Sequence, residues 1–168
     1  GDVQDAINKY KGVKGIVLDL RNNPGGLLNQ AVGLVDIFVD EGIIVSQKGR
    51  VESDNAEYKA TKAGTLTKIP LVVLVNGGSA SASEIVSGAL QDHKRAIIIG
   101  EKTFGKGSVQ AVLPVVDNEA IRLTIARYYL PSGRTIQAEG VTPDLMVYPG
   151  EVPHKNNEQS LKEKDLKK

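Results

Sequence analysis

The sequence predicts an α/β fold built on a layered, mixed sheet, and three observations carry that prediction. Short apolar runs rich in β-branched residues recur at 16–20, 71–75 and 96–99. Runs of that length bounded by turn residues fit buried strands. Stretches with helical spacing of apolar residues lie between them, the alternation expected of βαβ units. Two further runs, 109–116 and 120–129, flank Asp117-Asn118 as the arms of a hairpin would, and their pairing makes the sheet mixed.

Taken in order, residues 3–10 read as a short amphipathic helix and 15–20 as a strand. That strand stops at Arg21-Asn22-Asn23-Pro24-Gly25-Gly26, a dense turn signal. Residues 27–38 follow as a helix, with Leu28, Ala31, Val32, Val35 and Phe38 at helical spacing. Residues 42–47 and 58–61 read as strands around a polar loop. Leu71-Val72-Val73-Leu74-Val75 is the clearest buried strand and ends at Asn76-Gly77-Gly78. Residues 82–92 read as a helix, 96–99 as a strand, and 100–107 as a glycine-rich loop leading into the hairpin. Residues 1–150 are therefore expected to form one folded domain. Residues 151–168 hold five lysines and four acids but only Val152, Leu161 and Leu166 as aliphatics, so a charged, disordered tail is expected.

Composition excludes several functions. The 168 residues carry 21 basic and 20 acidic side chains, a formal net charge of +1, which does not favour nucleic acid as a partner. There is no cysteine, so disulfides, thiol catalysis and thiolate metal sites are excluded. Only His93 and His154 could serve a zinc hydrolase or a Ser-His-Asp triad, and neither sits in a suggestive motif. No segment approaches the roughly 20 apolar residues that span a bilayer. Gly1-Asp2-Val3 does not read as a natural start, and the chain is taken as a piece of a longer protein.

Three segments could carry chemistry. Gly77-Gly78-Ser79-Ala80-Ser81-Ala82-Ser83-Glu84 joins a buried strand to a helix, which points free backbone N–H groups at one spot. Such donors suit the oxyanion of an acyl-transfer intermediate. Ser81-Ala82-Ser83-Glu84 equally matches the S-x-x-E capping box, in which Ser81 only caps the helix. The G-x-S-x-G elbow of α/β-hydrolases is absent.

Gly100 to Ser108 nearly matches the phosphate-binding G-x-x-x-x-G-K-[ST] pattern, but Gly107 displaces the hydroxyl by one position and the following residues read as strand, not helix. Lys106 has another use. A lysine, with an ordinary pKa of about 10.4, becomes a base near neutrality once burial disfavours its charge. A Ser–Lys pair is one known solution to nucleophile activation. Gln110 could hydrogen-bond and orient that lysine; a solvated loop lysine and a polar strand residue are the bland alternatives. In the third segment, a backbone N–H near Gly25 or Gly26 could join that of Ala82 in an oxyanion hole, unless the loop is an ordinary strand-to-helix connection. Asp19 and Arg21 are expected to pair and hold that loop, and His93 to sit near a helix C-terminus without a catalytic role.

Together these segments resemble the C-terminal processing peptidases, also called tail-specific or carboxyl-terminal proteases. The resemblance runs through residues 17–26, 75–85, 100–110, Tyr128-Tyr129-Leu130-Pro131-Ser132-Gly133 and Gly140-Val141-Thr142-Pro143-Asp144, in the family's order. It implies a crotonase/ClpP-like serine protease core. It further implies Ser81 as nucleophile, Lys106 as general base and Gln110 as its orienting partner, with oxyanion donors at Ala82 and at Gly25 or Gly26. The implied activity is serine endopeptidase cleavage of proteins near unstructured C-termini, with no metal or organic cofactor. The implied location is extracytoplasmic, in the bacterial periplasm or cell envelope. Family members usually place a PDZ-like domain before this region, and this chain lacks one. A non-catalytic peptide-binding module and a crotonase-like acyl-CoA enzyme remain the competing classes on the same fold.

Overall fold

The computed structural model describes residues 1–116, 119–150 and 162–166. Among the described residues three α-helices, α1 (Asp2–Lys9), α2 (Leu28–Asp36) and α3 (Ala82–Asp92), accompany eight strands. The strands are β1 (Ile16–Asp19), β2 (Ile43–Gly49), β3 (Ala56–Lys59), β4 (Leu71–Val75), β5 (Ala96–Gly100), β6 (Ser108–Pro114), β7 (Ala120–Tyr129) and β8 (Leu145–Met146). Helix α3 and strand β4 coincide with the ranges expected from sequence. Strand β8, only two residues long, gave no readable signal.

The α/β class is as predicted, with one difference in arrangement. The strands do not merge into one mixed sheet. They divide into a parallel sheet, in the order β1-β4-β5-β8, and an antiparallel sheet, in the order β3-β2-β7-β6. The reason is connection geometry: β1, β4 and β5 each return through a crossover, whereas β6 and β7 follow one another closely in the chain and pair antiparallel.

Helix α3 fills the space between the sheets. It touches β5 on one side and β2 on the other, and is buried from Ala82 through Leu90. A helix buried all round must be small or apolar all round, which its sequence is apart from Ser83, Glu84 and Ser87. Gly88 lets Leu130 lie on the helix, because a Cβ there would stand 2.5 Å from Leu130 Cδ1. Val73, Ile85, Leu90 and Ile98 are almost wholly enclosed. Each such side chain contributes about 1.5–3 kcal/mol on burial. The outer face of the parallel sheet is open by contrast, with Val17 66% and Ile97 55% exposed.

The core thus fixes the carboxyl ends of β1, β4 and β5, and the loops leaving those ends hold every candidate site residue but Ala82, which opens α3, and Gln110, which lies on β6. Asp144 locks the arrangement from the far side by accepting the Ile98 N–H (2.8 Å) and the Gln91 side-chain amide (3.0 Å). No helix among the described residues is long and apolar enough to cross a membrane.

Candidate active site

The loop after β4 folds into a tight turn that ends at Ser81, the residue before α3. Ser81 has φ 54° and ψ −117°, a left-handed region that non-glycine residues rarely enter. Strain of this kind costs on the order of 1–3 kcal/mol and persists only when neighbours enforce it. The G-x-S-x-G motif is absent, yet the chain arrives at the same kind of sharp strand-to-helix elbow.

Hydrogen bonding separates the three serines of the turn. Ser79 is fully buried; its hydroxyl donates to Leu20 O (2.7 Å) and accepts the Asn76 N–H (3.0 Å). Ser83, also buried, donates to Asn23 Oδ1 (2.9 Å). Ser81 is only half-buried, and its hydroxyl makes no capping bond: the Glu84 N–H goes to the Ser81 carbonyl instead (2.9 Å). Two hydroxyls are consumed by structure, and the Ser81 hydroxyl makes no hydrogen bond among the described residues.

The loop after β1 braces this turn. Asn22 (φ 56°) and Asn76 join through Asn22 N–H to Asn76 Oδ1 (2.9 Å) and Asn76 Nδ2 to Asn22 Oδ1 (3.0 Å). Gly25 (φ 102°) lies flat against the elbow, where a Cβ would fall 2.7 Å from Ala80 O and 2.8 Å from Ala82 N. Its N–H donates to Asn23 Oδ1 (3.0 Å). Gly26 has open space around it. Ala82 opens α3, so its N–H has no acceptor within the helix. Asp19 and Arg21 pair as expected, at 2.7 Å, and the hydrogen-bonding guanidinium lowers the Asp19 pKa to about 2.

The loop carrying Lys106 is stitched to the elbow. Phe104 N–H donates to Ser79 O (3.0 Å). Glu84, wholly buried in the first turn of α3, accepts four donors. Its Oε2 takes the Ser81 N–H and the Lys106 N–H, each at 2.9 Å. Its Oε1 takes the Gly105 N–H at 2.7 Å and the Thr103 hydroxyl. Burial pushes the Glu84 pKa up, opposed by those same hydrogen bonds.

Gly105 and Gly107 allow the close approach that their positions suggested: a Cβ on Gly107 would meet Gln137 N at 2.6 Å and Ile136 Cβ at 2.8 Å. Gly107 N–H donates to Gln137 Oε1 (3.0 Å), and Gly105 O accepts the Ala138 N–H (2.8 Å). Lys162 clasps the loop from outside, its ammonium donating to Lys102 O (2.7 Å) and Thr103 O (3.3 Å), with burial lowering its pKa. Residues 151–161, 167 and 168, which make up most of the expected tail, lie outside the described residues.

The loop is not a phosphate cradle. The N–H groups of Gly105, Lys106 and Gly107 are all committed within the protein, and strand β6 follows at once. Gln110 lies exposed on β6, opposite Thr124. The Lys106 amine hydrogen-bonds neither the Ser81 hydroxyl nor Gln110 in this chain; what the fold joins directly is the backbone of the two loops. Glu84 reads in the sequence as half of a capping box and as part of the 75–85 resemblance, Asn23 and Thr103 only as members of their turn and loop segments, and Gln137 gives no signal. His93 ends α3 as expected, its Nε2 against Ile43 O at 2.6 Å.

The model of peptidase family S41 matches residues 1–147. The chain belongs to peptidase family S41. A carboxy-terminal-processing protease of Bartonella bacilliformis is 53% identical over 168 residues, covering 99% of this chain and 38% of the relative. A chloroplastic C-terminal processing peptidase of Tetradesmus obliquus is 43% identical over 146 residues, 85% of this chain and 31% of that protein. The solved photosystem II D1 C-terminal processing protease superposes with a TM-score of 0.78 at 41% identity, covering 90% of this chain and 39% of that one. Mature CPAF shares the fold at 15% identity (TM-score 0.74, 86% of this chain and 41% of that one). This S41 chain therefore spans well under half the length of the curated relatives it matches, and its layered core is the S41 protease fold.

Proposed function

We propose that the full-length protein is a serine endopeptidase that cleaves proteins near unstructured C-termini through a Ser81–Lys106 dyad. Ser81 Oγ attacks the scissile carbonyl carbon while its proton passes to the Lys106 amine. The C–N bond then breaks and Lys106 returns that proton to the leaving amine. Water, deprotonated by the same lysine, attacks the acyl ester; the C–Oγ bond breaks and Lys106 passes the proton to Ser81 Oγ, freeing the acid product and the serine. Ala82 N–H and a donor from the Gly25-Gly26 pair hold the oxyanion. Gly26 is the better choice, since the Gly25 N–H is already engaged by Asn23. Gln110 orients the lysine. The mechanism asks nothing of a metal or organic cofactor.

One observation supports this reading above the rest: a strained elbow leaves one serine hydroxyl free, and a single carboxylate ties that elbow to the loop bearing the lysine. Two N–H groups that share one acceptor oxygen stand within about 6 Å of each other. A lysine's four-carbon stem spans such a gap. The bacterial and chloroplast relatives named for C-terminal processing support the substrate class. They also favour an extracytoplasmic site of action, in the bacterial periplasm or cell envelope.

The test uses the full-length protein and a fluorogenic peptide ending in a free carboxylate. Ser81→Ala and Lys106→Ala should each abolish turnover, and a fluorophosphonate should form a covalent adduct at Ser81 in the unaltered protein. Full turnover by either variant would refute the assignment. A peptide that binds but is never cut would instead favour a non-catalytic peptide-binding module.

A further inference from the structure

We infer that Glu84 is a positioning residue for catalysis, and that its carboxylate sets the spacing of nucleophile and base by binding the backbone of both. The inference rests on the dyad reading and deepens it. Glu84 touches neither reacting atom, so its influence runs through Ser81 and Lys106.

The geometry separates this role from helix capping. A capping box asks Glu84 to accept one bond, from the N–H of the residue just before the helix. That bond exists, at 2.9 Å to Ser81 N. The same oxygen also receives the Lys106 N–H from a loop 22 residues further along the chain, again at 2.9 Å. The second oxygen receives Gly105 N–H and the Thr103 hydroxyl. Three of the four donors thus come from the loop of the base, and helix capping has no use for them. Thr103 is itself fixed, its hydroxyl oxygen accepting the Val141 N–H at 2.7 Å.

All three backbone partners can only donate, so the site is built for a group that can only accept. An ionised carboxylate meets that condition, and the first turn of a helix favours its charge. An amide does not. If the Gln nitrogen replaced Oε2, it would face two backbone N–H groups. If it replaced Oε1, the Thr103 hydroxyl could reverse but the Gly105 N–H would lose its acceptor. Either orientation pushes the loop away from the elbow, although Gln has nearly the size and shape of Glu.

The test compares Glu84→Gln with the unaltered full-length enzyme. Active sites are counted by the end point of fluorophosphonate labelling, and kcat per counted site and KM are then measured on the fluorogenic peptide. A merely structural role would lower the number of active sites and leave kcat per site alone. Positioning predicts a fall in kcat per site of about 100-fold, the scale on which ångström displacements act. KM should stay within about threefold, and the rate of labelling should fall in parallel with kcat. A folded Glu84→Gln enzyme with kcat per site within threefold of the parent would overturn the proposal.

If Glu84→Gln does not fold, Thr103 decides. Thr103→Val should lower kcat per site about tenfold and Thr103→Ser should recover most of that loss; an unchanged kcat in Thr103→Val overturns the proposal. The Ser81→Ala control keeps the two ideas apart. Cleavage by Ser81→Ala sinks the dyad reading and this inference together, whereas an inert Ser81→Ala beside an unimpaired Glu84→Gln sinks the inference alone.

Discussion

The elbow that presents Ser81 and the loop that presents Lys106 are held by different means. The elbow is gripped by side chains: Asn22, Asn23, Asn76, Ser79 and Glu84 each hydrogen-bond into it or its brace, and they enforce a backbone that strains against its own preference. The lysine loop is gripped almost wholly through its backbone, by Glu84, Gln137, Ala138 and Lys162. The Ser81 hydroxyl, the proposed nucleophile, thus sits one carbon from a fixed backbone, while the Lys106 amine, the proposed base, stands four carbons from its own anchor. The contrast suits the chemistry. In the proposed mechanism the nucleophile must meet one trajectory, whereas the base exchanges protons first with the leaving amine and then with the attacking water and the departing Ser81 Oγ.

Removing either functional group is the largest break. Ser81→Ala and Lys106→Ala should each cost at least about 10³-fold in kcat, since loss of a nucleophile or its base leaves only binding and oxyanion stabilisation. Thermal melting should change little for either.

Next come the glycines that let the two regions touch their supports. Gly25→Ala drives a Cβ into Ala80 O and Ala82 N at a positive φ. It should destabilise the fold by about 1–3 kcal/mol and collapse turnover. Gly107→Ala meets Gln137 N and Ile136 Cβ in the same way and should displace the base loop, lowering kcat about 100-fold. Gly33→Ala, on α2, is the internal control, because the new methyl meets open space there. A melt and a kcat assay on the three variants would sharpen the comparison, and tolerance of Gly25→Ala would break it.

Gln110→Ala should act on rate alone. The residue is exposed on β6, so the melting temperature should hold while kcat falls roughly tenfold if it orients the lysine. An unchanged kcat would remove Gln110 from the mechanism.

The smallest effect concerns Asp19, at the rim of the elbow's brace. Its hydrogen bonds from Arg21 lower its pKa to about 2. The folded state therefore favours the carboxylate, a stabilisation present above the ordinary carboxylate pKa and lost as pH falls toward about 2. Both side chains are exposed, so Arg21→Ala should return Asp19 to ordinary titration by NMR with scarcely any change in melting at neutral pH.

Much of the molecule was legible beforehand because local pattern and local structure coincide there. Leu71–Val75 could only be a buried strand, and Ala82–Asp92 combined a capping signature with helical spacing. The partition into two sheets was not legible, because strand pairing depends on crossovers that periodicity does not record. Strand β8 escaped notice because two residues have no period.

Within the site, the residues of one chain segment were readable and the bonds between segments were not. The sequence by itself determined the α/β class, the turn at Ser79–Ser83, the glycines around Lys106 and the exclusion of thiol chemistry, since each follows from residue type and nearest neighbours. Only the tertiary structure decided which hydroxyl stays free and what Glu84 binds. Those outcomes depend on acceptors and donors some 20 to 60 residues away, and a hydrogen bond between distant segments leaves no trace in the spacing of either.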